Sequence, residues 1–131
     1  MENIKVKIDT KEKFHVITPF GPQFPANLTE NIRNMMHEFL ESPVKNVILN
    51  TENLESMEEP IARCLATLQE DFRGANASFV ICCLKPSPRR QLEDLDLLDS
   101  LNVTPTESEA WDIVQMEEIE RELFGNEMEE E

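Results

Sequence analysis

Glycine is scarce in this sequence, with three residues in 131. Loops that cradle phosphate groups need several glycines close together, so the sequence argues against a nucleotide-binding loop of that kind. No Gly-x-Ser-x-Gly motif occurs, which argues against a nucleophile elbow. The two histidines, His15 and His37, do not stand in a recognisable metal-ligand motif. The sequence therefore predicts no enzyme activity, no cofactor and no metal site.

Cysteine is also scarce, with three residues and no Cys-x-x-Cys pair. Cys82 and Cys83 are adjacent within an apolar run, and in a strand their side chains would point to opposite faces. We interpret the cysteines as small, buried residues of a protein in a reducing compartment. The chain starts without a basic-then-apolar signal region, and no apolar run is long enough to span a membrane. We therefore expect a cytoplasmic protein without membrane insertion.

Positively charged residues are also few. The sequence has 12 Lys and Arg and 27 Asp and Glu, which gives a net charge of −15. Eight Glu and one Arg fall within residues 117–131, so −7 of this charge lies there. Phosphate backbones repel such a chain, and we predict no nucleic-acid binding. The hydrophobic content of 40% is typical of a globular protein. We expect one domain over residues 1–124 and an acidic, flexible tail over residues 125–131.

The first part of the sequence alternates between apolar and polar residues. Ile4, Val6 and Ile8 alternate with charged residues, and residues 14–18 form a second apolar run. This pattern predicts two strands in an antiparallel hairpin, followed by a Pro/Gly-rich loop over residues 19–25. A helix is predicted from about residue 27 to residue 42, with Asn27 as its cap. Its apolar stripe consists of Leu28, Ile32, Met35, Met36, Phe39 and Leu40.

The central part of the sequence predicts a buried strand, an acidic turn and a helix. The strand covers residues 44–49, and the helical stripe is Ile61, Cys64, Leu65, Leu68 and Phe72. Two starts are possible for this helix. Ser56 could cap it in a capping box with Glu59, or Pro60 could be its first residue. We favour Pro60, with Glu58 and Glu59 just outside, and we expect Gly74 to stop the helix.

The remaining sequence predicts two more strands and two more helices. A buried strand covers residues 77–84, and a short strand covers residues 103–106. Between them, leucines at helical spacing predict a helical run to Leu101: Leu92, Leu95, Leu98 and Leu101. The last helix is predicted to be capped by Ser108 and to end at Gly125. Trp111, the single tryptophan, is expected to pack this helix on the core. The buried stripe of the last helix is predicted to be Ile113, Met116, Ile119, Leu123 and Phe124.

Residues 48–61 resemble the core signature of STAS domains, the family of anti-sigma factor antagonists and sulphate-transporter tails. In that signature an apolar-apolar-Asp strand end and an apolar pair precede Asp-Ser-Ser/Thr-Gly at the start of a helix. The corresponding residues here are Ile48-Leu49-Asn50, Leu54-Glu55-Ser56-Met57 and Glu58-Glu59-Pro60-Ile61. The similarity in element order extends over about residues 4–123. The resemblance implies a single α/β domain with a mixed sheet of four to five strands, about four helices and an N-terminal antiparallel hairpin.

The most diagnostic residues of that signature are changed in this sequence. In the family, one hydroxyl of the Ser pair accepts a phosphate, but Glu59-Pro60 stands at that position here. Glu58 and Glu59 could simply stabilise a helix start, or they could carry a permanent charge similar to that of a phosphate group. Arg89 and Arg90 could neutralise nearby acid or form part of a partner surface. The candidate partner-binding residues are Ser56, Met57, Glu58, Glu59, Pro60, Arg63, Arg89 and Arg90.

Two functions remain open at this point. The first is a non-enzymatic binding module, monomeric or weakly dimeric, that regulates a partner protein without phosphorylation at the usual site. By family resemblance that partner would be an anti-sigma factor or another protein with a kinase-like ATPase fold. The alternative is a small ligand-binding protein, for nucleotide or lipid, or an accessory subunit of a transport complex. A co-purifying nucleotide or lipid would favour the alternative.

Overall fold

A five-stranded mixed sheet lies at the centre of the computed structural model, which describes the backbone of residues 5–129 and the side chains of residues 5–123. Its strands are β1 (Val6–Thr10), β2 (Phe14–Pro19), β4 (Asn46–Asn50), β6 (Phe79–Cys82) and β7 (Val103–Thr104), adjacent in that order. β1 and β2 pair antiparallel, and every other neighbouring pair is parallel. The predicted α/β fold, mixed sheet and N-terminal hairpin are therefore confirmed, although Ile4 lies outside the described residues.

Helices cover both faces of the sheet. The helices are α1 (Thr29–Leu40), α2 (Glu59–Gly74), α3 (Pro86–Asp94) and α4 (Glu107–Glu129), with short 3-10 helices at Ala26–Leu28 and Leu98–Ser100. Alternate residues of β4 point to opposite faces, so Val47 and Leu49 contact the larger core and Ile48 contacts the smaller one. α1, α2 and α3 contribute to the larger core, whereas α4 covers the smaller core. The predicted buried strands and helical stripe are confirmed at Leu49, Leu65, Leu68, Val80 and Ile81, which have no exposed surface.

Several helix ends differ from the sequence-based predictions. Asn27 does not cap α1, because a 3-10 turn comes first and the helix begins at Thr29. α2 begins at Glu59, with Pro60 in its first turn, and Ser56 does not cap it. Gly74 is the last residue of α2 rather than the residue that stops it. Asn76 takes the left-handed conformation (φ 57°) that commonly follows a helix end, a backbone region that asparagine tolerates.

The leucine-rich segment after β6 is not one continuous helix. α3 ends at Asp94, and Asp96 adopts a left-handed conformation (φ 60°), after which a 3-10 turn leads to β7. A left-handed residue ends an α-helix regardless of leucine spacing, so the predicted helical run to Leu101 is wrong. A left-handed residue also explains the position of the two adjacent cysteines, which were predicted to point to opposite faces of the sheet. Cys83 has φ 63°, the alternation of the strand ends there, and Cys82 and Cys83 contact the same smaller core rather than opposite faces.

The last helix departs most from its predicted pattern. Thr106, not Ser108, caps α4: its hydroxyl accepts the Glu109 amide at 3.2 Å and donates to the Glu109 carboxylate at 3.1 Å. The helix also continues through Gly125 to Glu129. Its inner face is formed by Ala110 and Val114. The predicted buried stripe is wrong, since Ile113 is half-buried and Met116, Ile119 and Leu123 are exposed; the side chain of Phe124 lies outside those described.

A polar network attaches α4 to the amino ends of the central strands. Asn46, which is 3% exposed, accepts a hydrogen bond from the Ser78 amide at 2.7 Å and donates to Glu118 at 2.8 Å. Arg121 donates to Asn46, Ser78 and Glu118 at 3.0–3.2 Å. Burial alone would raise the pKa of Glu118, but the hydrogen bonds from Asn46 and Arg121 and nearby positive charge hold it below its usual value. These contacts replace the apolar anchoring that the sequence pattern suggested.

The aromatic contact at the other end of α4 agrees with the sequence-based prediction. Trp111 is half-buried, and its ring meets the edge of Phe14 at 5.1 Å between centroids. Its indole N–H donates to Glu107 at 3.1 Å, so the polar end of the ring is satisfied. No helix among the described residues is long and apolar enough to cross a membrane.

Candidate functional site

A small second sheet joins the two loops that follow β2 and β4. Its strands are β3 (Gln23–Phe24) and β5 (Ser56–Met57), which pair in parallel. The amides of Glu55 and Ser56 donate to the Pro22 carbonyl, and the Glu58 amide donates to the Phe24 carbonyl at 3.0 Å. The sequence predicted only a loop at residues 19–25, because two-residue strands carry no periodic signal. These hydrogen bonds hold both loops in one arrangement at the carboxyl edge of the main sheet.

Glu58 connects this arrangement to the start of α2. Its backbone is extended (φ −82°, ψ 156°), and its carbonyl accepts hydrogen bonds from the Ile61 and Ala62 amides. Its carboxylate accepts a hydrogen bond from the Ala26 amide, across the gap between the loops. Pro60 has no amide hydrogen and is therefore tolerated in this first turn. The carboxylate of Glu58 therefore has a hydrogen-bond partner within the protein, although the residue as a whole is exposed.

Glu59 is the first residue of α2 and pairs along the helix with Arg63, whose Nε lies 2.8 Å from its carboxylate. Both side chains are more than half exposed, at 56% and 57%, so this pair contributes little to stability. A carboxylate in the first turn is also favoured by the helix dipole. The charge of Glu59 is therefore accessible to a partner, with one arginine beside it.

Ser56 and Met57 are less accessible than the sequence suggested. Met57 is 3% exposed and belongs to the larger core, so its side chain supports the site rather than lining its surface. Ser56 is half-buried in β5, upstream of the helix start. No hydroxyl side chain lies in the first turn of α2, which reads Glu59-Pro60-Ile61.

α3 lies beside this site, but its two arginines do not contact the glutamates. Gln91 makes the connection instead, because its side-chain oxygen accepts the Met57 amide at 3.1 Å. Arg89 pairs with Glu93 on its own helix at 3.5 Å. Both Arg89 and Arg90 are exposed near the start of α3, where they line a shallow pocket with Pro86, Ser87 and Glu93.

Phe20 is a surface feature that the sequence reasoning missed. It is 57% exposed in the loop between β2 and β3, and the neighbouring Pro19 carbonyl accepts a hydrogen bond from Asn53. No signal in the sequence distinguishes Phe20 from Phe24, an aromatic residue of the same Pro/Gly-rich loop that is 2% exposed and belongs to the larger core. Large exposed aromatic side chains are frequent anchors in protein interfaces.

A cavity of about 550 Å³ opens between the small sheet and α3. It is lined by Phe24, Ser56, Met57, Glu58, Glu59 and Gln91, among others. The two glutamates are its charged lining residues, so the cavity disfavours phosphate-bearing ligands. Among the described residues, no group of three or more His, Cys, Asp or Glu side chains could hold a metal ion.

The cysteines offer little nucleophilic chemistry. Burial raises the pKa of the Cys82 thiol, and Cys83, Glu107 and Glu52 raise it further. Burial also raises the pKa of Cys64, although Arg33 opposes that effect. Thiols with raised pKa values are poorly reactive at neutral pH, which agrees with a structural role for these two residues.

Comparisons with known proteins agree with the geometry. The STAS domain family model matches residues 5–110. No curated protein sequence matches the chain. Among solved structures, a candidate anti-sigma factor antagonist from Thermotoga maritima has a TM-score of 0.76 at 14% identity, over 84% of this chain and 94% of that one. An anti-sigma factor antagonist from Mycobacterium paratuberculosis has a TM-score of 0.73 at 13% identity, over 86% and 95% of the two chains.

The anti-sigma factor antagonist SpoIIAA of Bacillus, in its unphosphorylated form, has a TM-score of 0.69 at 19% identity, over 85% of this chain and 96% of that one. These identities are low, so the likeness concerns the fold. The family model covers most of the sequence, including all seven strands and the first three helices. The chain therefore belongs to the STAS domain family.

Proposed function

We propose that this STAS domain regulates a partner protein by direct contact through its "α2 face". This face consists of Phe20, Ser56, Glu58, Glu59, Pro60 and Arg63, with Arg89 and Arg90 of α3 at its border. The observation that supports it best is the set of hydrogen bonds that joins two loops at the start of α2. Phe20, in the first of these loops, and Glu59, at the helix start, are both more than half exposed. A surface held rigid in advance loses little conformational entropy when it binds.

Binding through this face is proposed to be constitutive rather than switched by phosphorylation at the helix start. Glu59 and Pro60 cannot accept a phosphate, and the Ser56 hydroxyl lies in the short strand before the helix. Glu58 and Glu59 together carry a charge similar to that of one phosphate, about −1.5 to −2. The proposed partner is an anti-sigma factor or a related kinase-like ATPase in the cytoplasm, by resemblance to the family's antagonists, and no catalytic step is proposed for this chain.

The first experiment examines modification. The protein is incubated with ATP and extract of its native cell, and its intact mass is then measured. An unchanged mass is expected. Stoichiometric phosphate on Ser56, together with altered partner binding, would overturn the constitutive interpretation.

The second experiment examines the surface itself. The partner is isolated by affinity capture and identified, and its affinity is measured for Glu58→Ala/Glu59→Ala and for Arg89→Ala/Arg90→Ala. We expect slower association for the glutamate variant, since charges at an interface rim steer encounter. Glu38→Ala/Glu41→Ala is the matched control, because both glutamates are exposed near the carboxyl end of α1 and are not part of the α2 face. Full binding by both test variants would place the partner surface elsewhere.

The ligand-binding alternative has less support. The cavity beside the α2 face is large enough for a small molecule, but its glutamates disfavour a nucleotide or a lipid phosphate. Native mass spectrometry of the purified protein distinguishes the two functions. A stoichiometric bound nucleotide or lipid would favour a ligand-binding or transport accessory role over the binding module.

A further inference from the structure

α4 carries an exposed apolar stripe that no part of the described chain covers. Met116, Ile119 and Leu123 are 56%, 57% and 59% exposed, and we call them the α4 ridge. They are three of the five large exposed apolar side chains among the described residues, and the other two, Ile8 and Phe20, lie on β1 and in a loop. Single exposed apolar residues are common, but a contiguous set on one element indicates an interaction site.

Helix geometry places the three side chains on one line. Residues three, four and seven positions apart share a face, so the α4 ridge extends for about 10 Å along the helix. The opposite face of α4 is occupied, since Val114 contacts the smaller core and Glu117 and Arg121 bond to the sheet. The ridge therefore cannot turn inward without breaking the polar network at Asn46 and Ser78.

The surroundings of the ridge are acidic and so restrict what can cover it. Asp112, Glu120 and Glu122 are exposed on α4 within one turn of the ridge residues. A second copy of α4 would bring carboxylates against carboxylates, which is unfavourable. An anionic membrane would repel the same residues. A helix that combines an apolar stripe with flanking Lys or Arg is complementary to both features.

We propose that the α4 ridge is a second binding surface, which docks a cationic amphipathic helix of a protein partner. The apolar stripe of that helix would pack on Met116, Ile119 and Leu123, and its basic residues would pair with Asp112, Glu120 and Glu122. Helices commonly pack with a side-chain ridge of one helix in a groove of the other, and the α4 ridge can provide the first of these.

This proposal goes beyond the function proposed for the α2 face. α2 contributes to the larger core on one side of the sheet, and α4 covers the smaller core on the other side. Two partners could therefore bind at once, and the domain would connect a regulated protein to a second one. The two surfaces can be tested separately because they share no residue.

The experiment uses a synthetic helical peptide of about 18 residues, built from Leu and Lys with an apolar stripe at helical spacing. A scrambled peptide of the same composition has the same charge but no stripe. Binding of each fluorescein-labelled peptide to the full chain is measured by anisotropy at physiological ionic strength, where diffuse attraction is screened. We expect the scrambled peptide to bind at least about tenfold more weakly, since burial of apolar side chains provides the difference.

Protein variants locate the binding site. Met116→Gln/Ile119→Gln/Leu123→Gln keeps the charge and uses a good helix former, and we expect it to lose at least about tenfold in affinity for the striped peptide. Ile119→Gln alone repeats the test if the triple variant is less stable. Ile8→Gln is the matched control, because Ile8 is 49% exposed on β1, away from α4. Glu58→Ala/Glu59→Ala should bind the striped peptide normally, which separates this result from that for the α2 face.

The results distinguish a partner helix from a second copy of the chain and from a membrane surface as the binder of the α4 ridge. The proposal is supported if the wild-type protein binds the striped peptide more tightly than the scrambled one and if both ridge variants lose this preference. Equal binding of the two peptides, or unchanged binding by the triple variant, would overturn it. Sedimentation that shows self-association dependent on the α4 ridge would replace the partner helix with a second copy. Ridge-dependent binding to vesicles of anionic lipid would replace it with a membrane surface.

Discussion

Replacement of Asn46 by alanine tests the polar network that attaches α4 to the sheet. The side chain is 3% exposed and is the acceptor for the Ser78 amide, which lies in a residue that is 2% exposed. A buried amide without an acceptor costs about 1–3 kcal/mol, and a lost hydrogen bond to a charged group costs about 1.5–3 kcal/mol. Glu118 and Arg121 would remain paired with each other and would form hydrogen bonds to water, so part of the cost of the lost hydrogen bond to Glu118 is offset. We expect the free energy of unfolding to fall by about 2–4 kcal/mol.

The assay is urea unfolding at neutral pH, followed by circular dichroism, with the denaturant dependence compared between variants. Asn34→Ala is the matched control, because Asn34 is exposed within α1 and its replacement should change stability by less than about 0.5 kcal/mol. A loss below about 0.5 kcal/mol for Asn46→Ala, given the expected penalty for a buried unpaired amide, would refute the reasoning.

Three further predictions concern stability. Leu68→Ala should lower the free energy of unfolding by about 2–5 kcal/mol in urea titrations, because Leu68 is fully buried; an unchanged midpoint would contradict its place in the core. The pKa of Glu118 is lowered by folding, so its contribution is present above its usual pKa and is lost as the pH falls through the folded value. The stability difference between wild type and Glu118→Gln should therefore shrink on acidification in pH-resolved unfolding, and a constant difference would argue against it. Deletion of residues 126–131, which removes the last residues of α4, should leave the melting temperature unchanged in calorimetry, whereas a clear decrease would show that this acidic end contributes to stability.

Elements with strong periodicity could be predicted from the sequence. The alternation of Val6 and Ile8 and the apolar runs around Val16 and Ile48 predicted the hairpin and the central strand, and the helical stripe of Leu65 and Leu68 predicted α2. Features that depend on single backbone conformations could not be predicted. The left-handed residues Cys83 and Asp96 follow the ends of β6 and α3 without any Gly to signal it.

The local structure around the candidate site could be predicted only in part, for similar reasons. The acidic start of α2 follows from the position of Pro60 and the apolar run after it. The pairing of β3 with β5 could not be predicted, since two-residue strands have no period and their partners are distant in sequence. The apolar stripe of α4 was placed in the core because exposed and buried stripes have the same spacing. The burial of Ala110 and Val114 and the network at Asn46 show which side of the helix faces the sheet.

The parallel pairing of β4 with both β2 and β6 has a consequence for how the chain folds. Parallel neighbours cannot be closed by a short turn, so each pair forms only after a long stretch of chain has been brought together. The β1–β2 hairpin can form locally, but α4 needs an assembled sheet before it has a surface to pack on. Until then Ile48 and Val80 are exposed on adjacent strands. The interval before the last helix arrives is thus the one in which a newly made chain is most prone to aggregate.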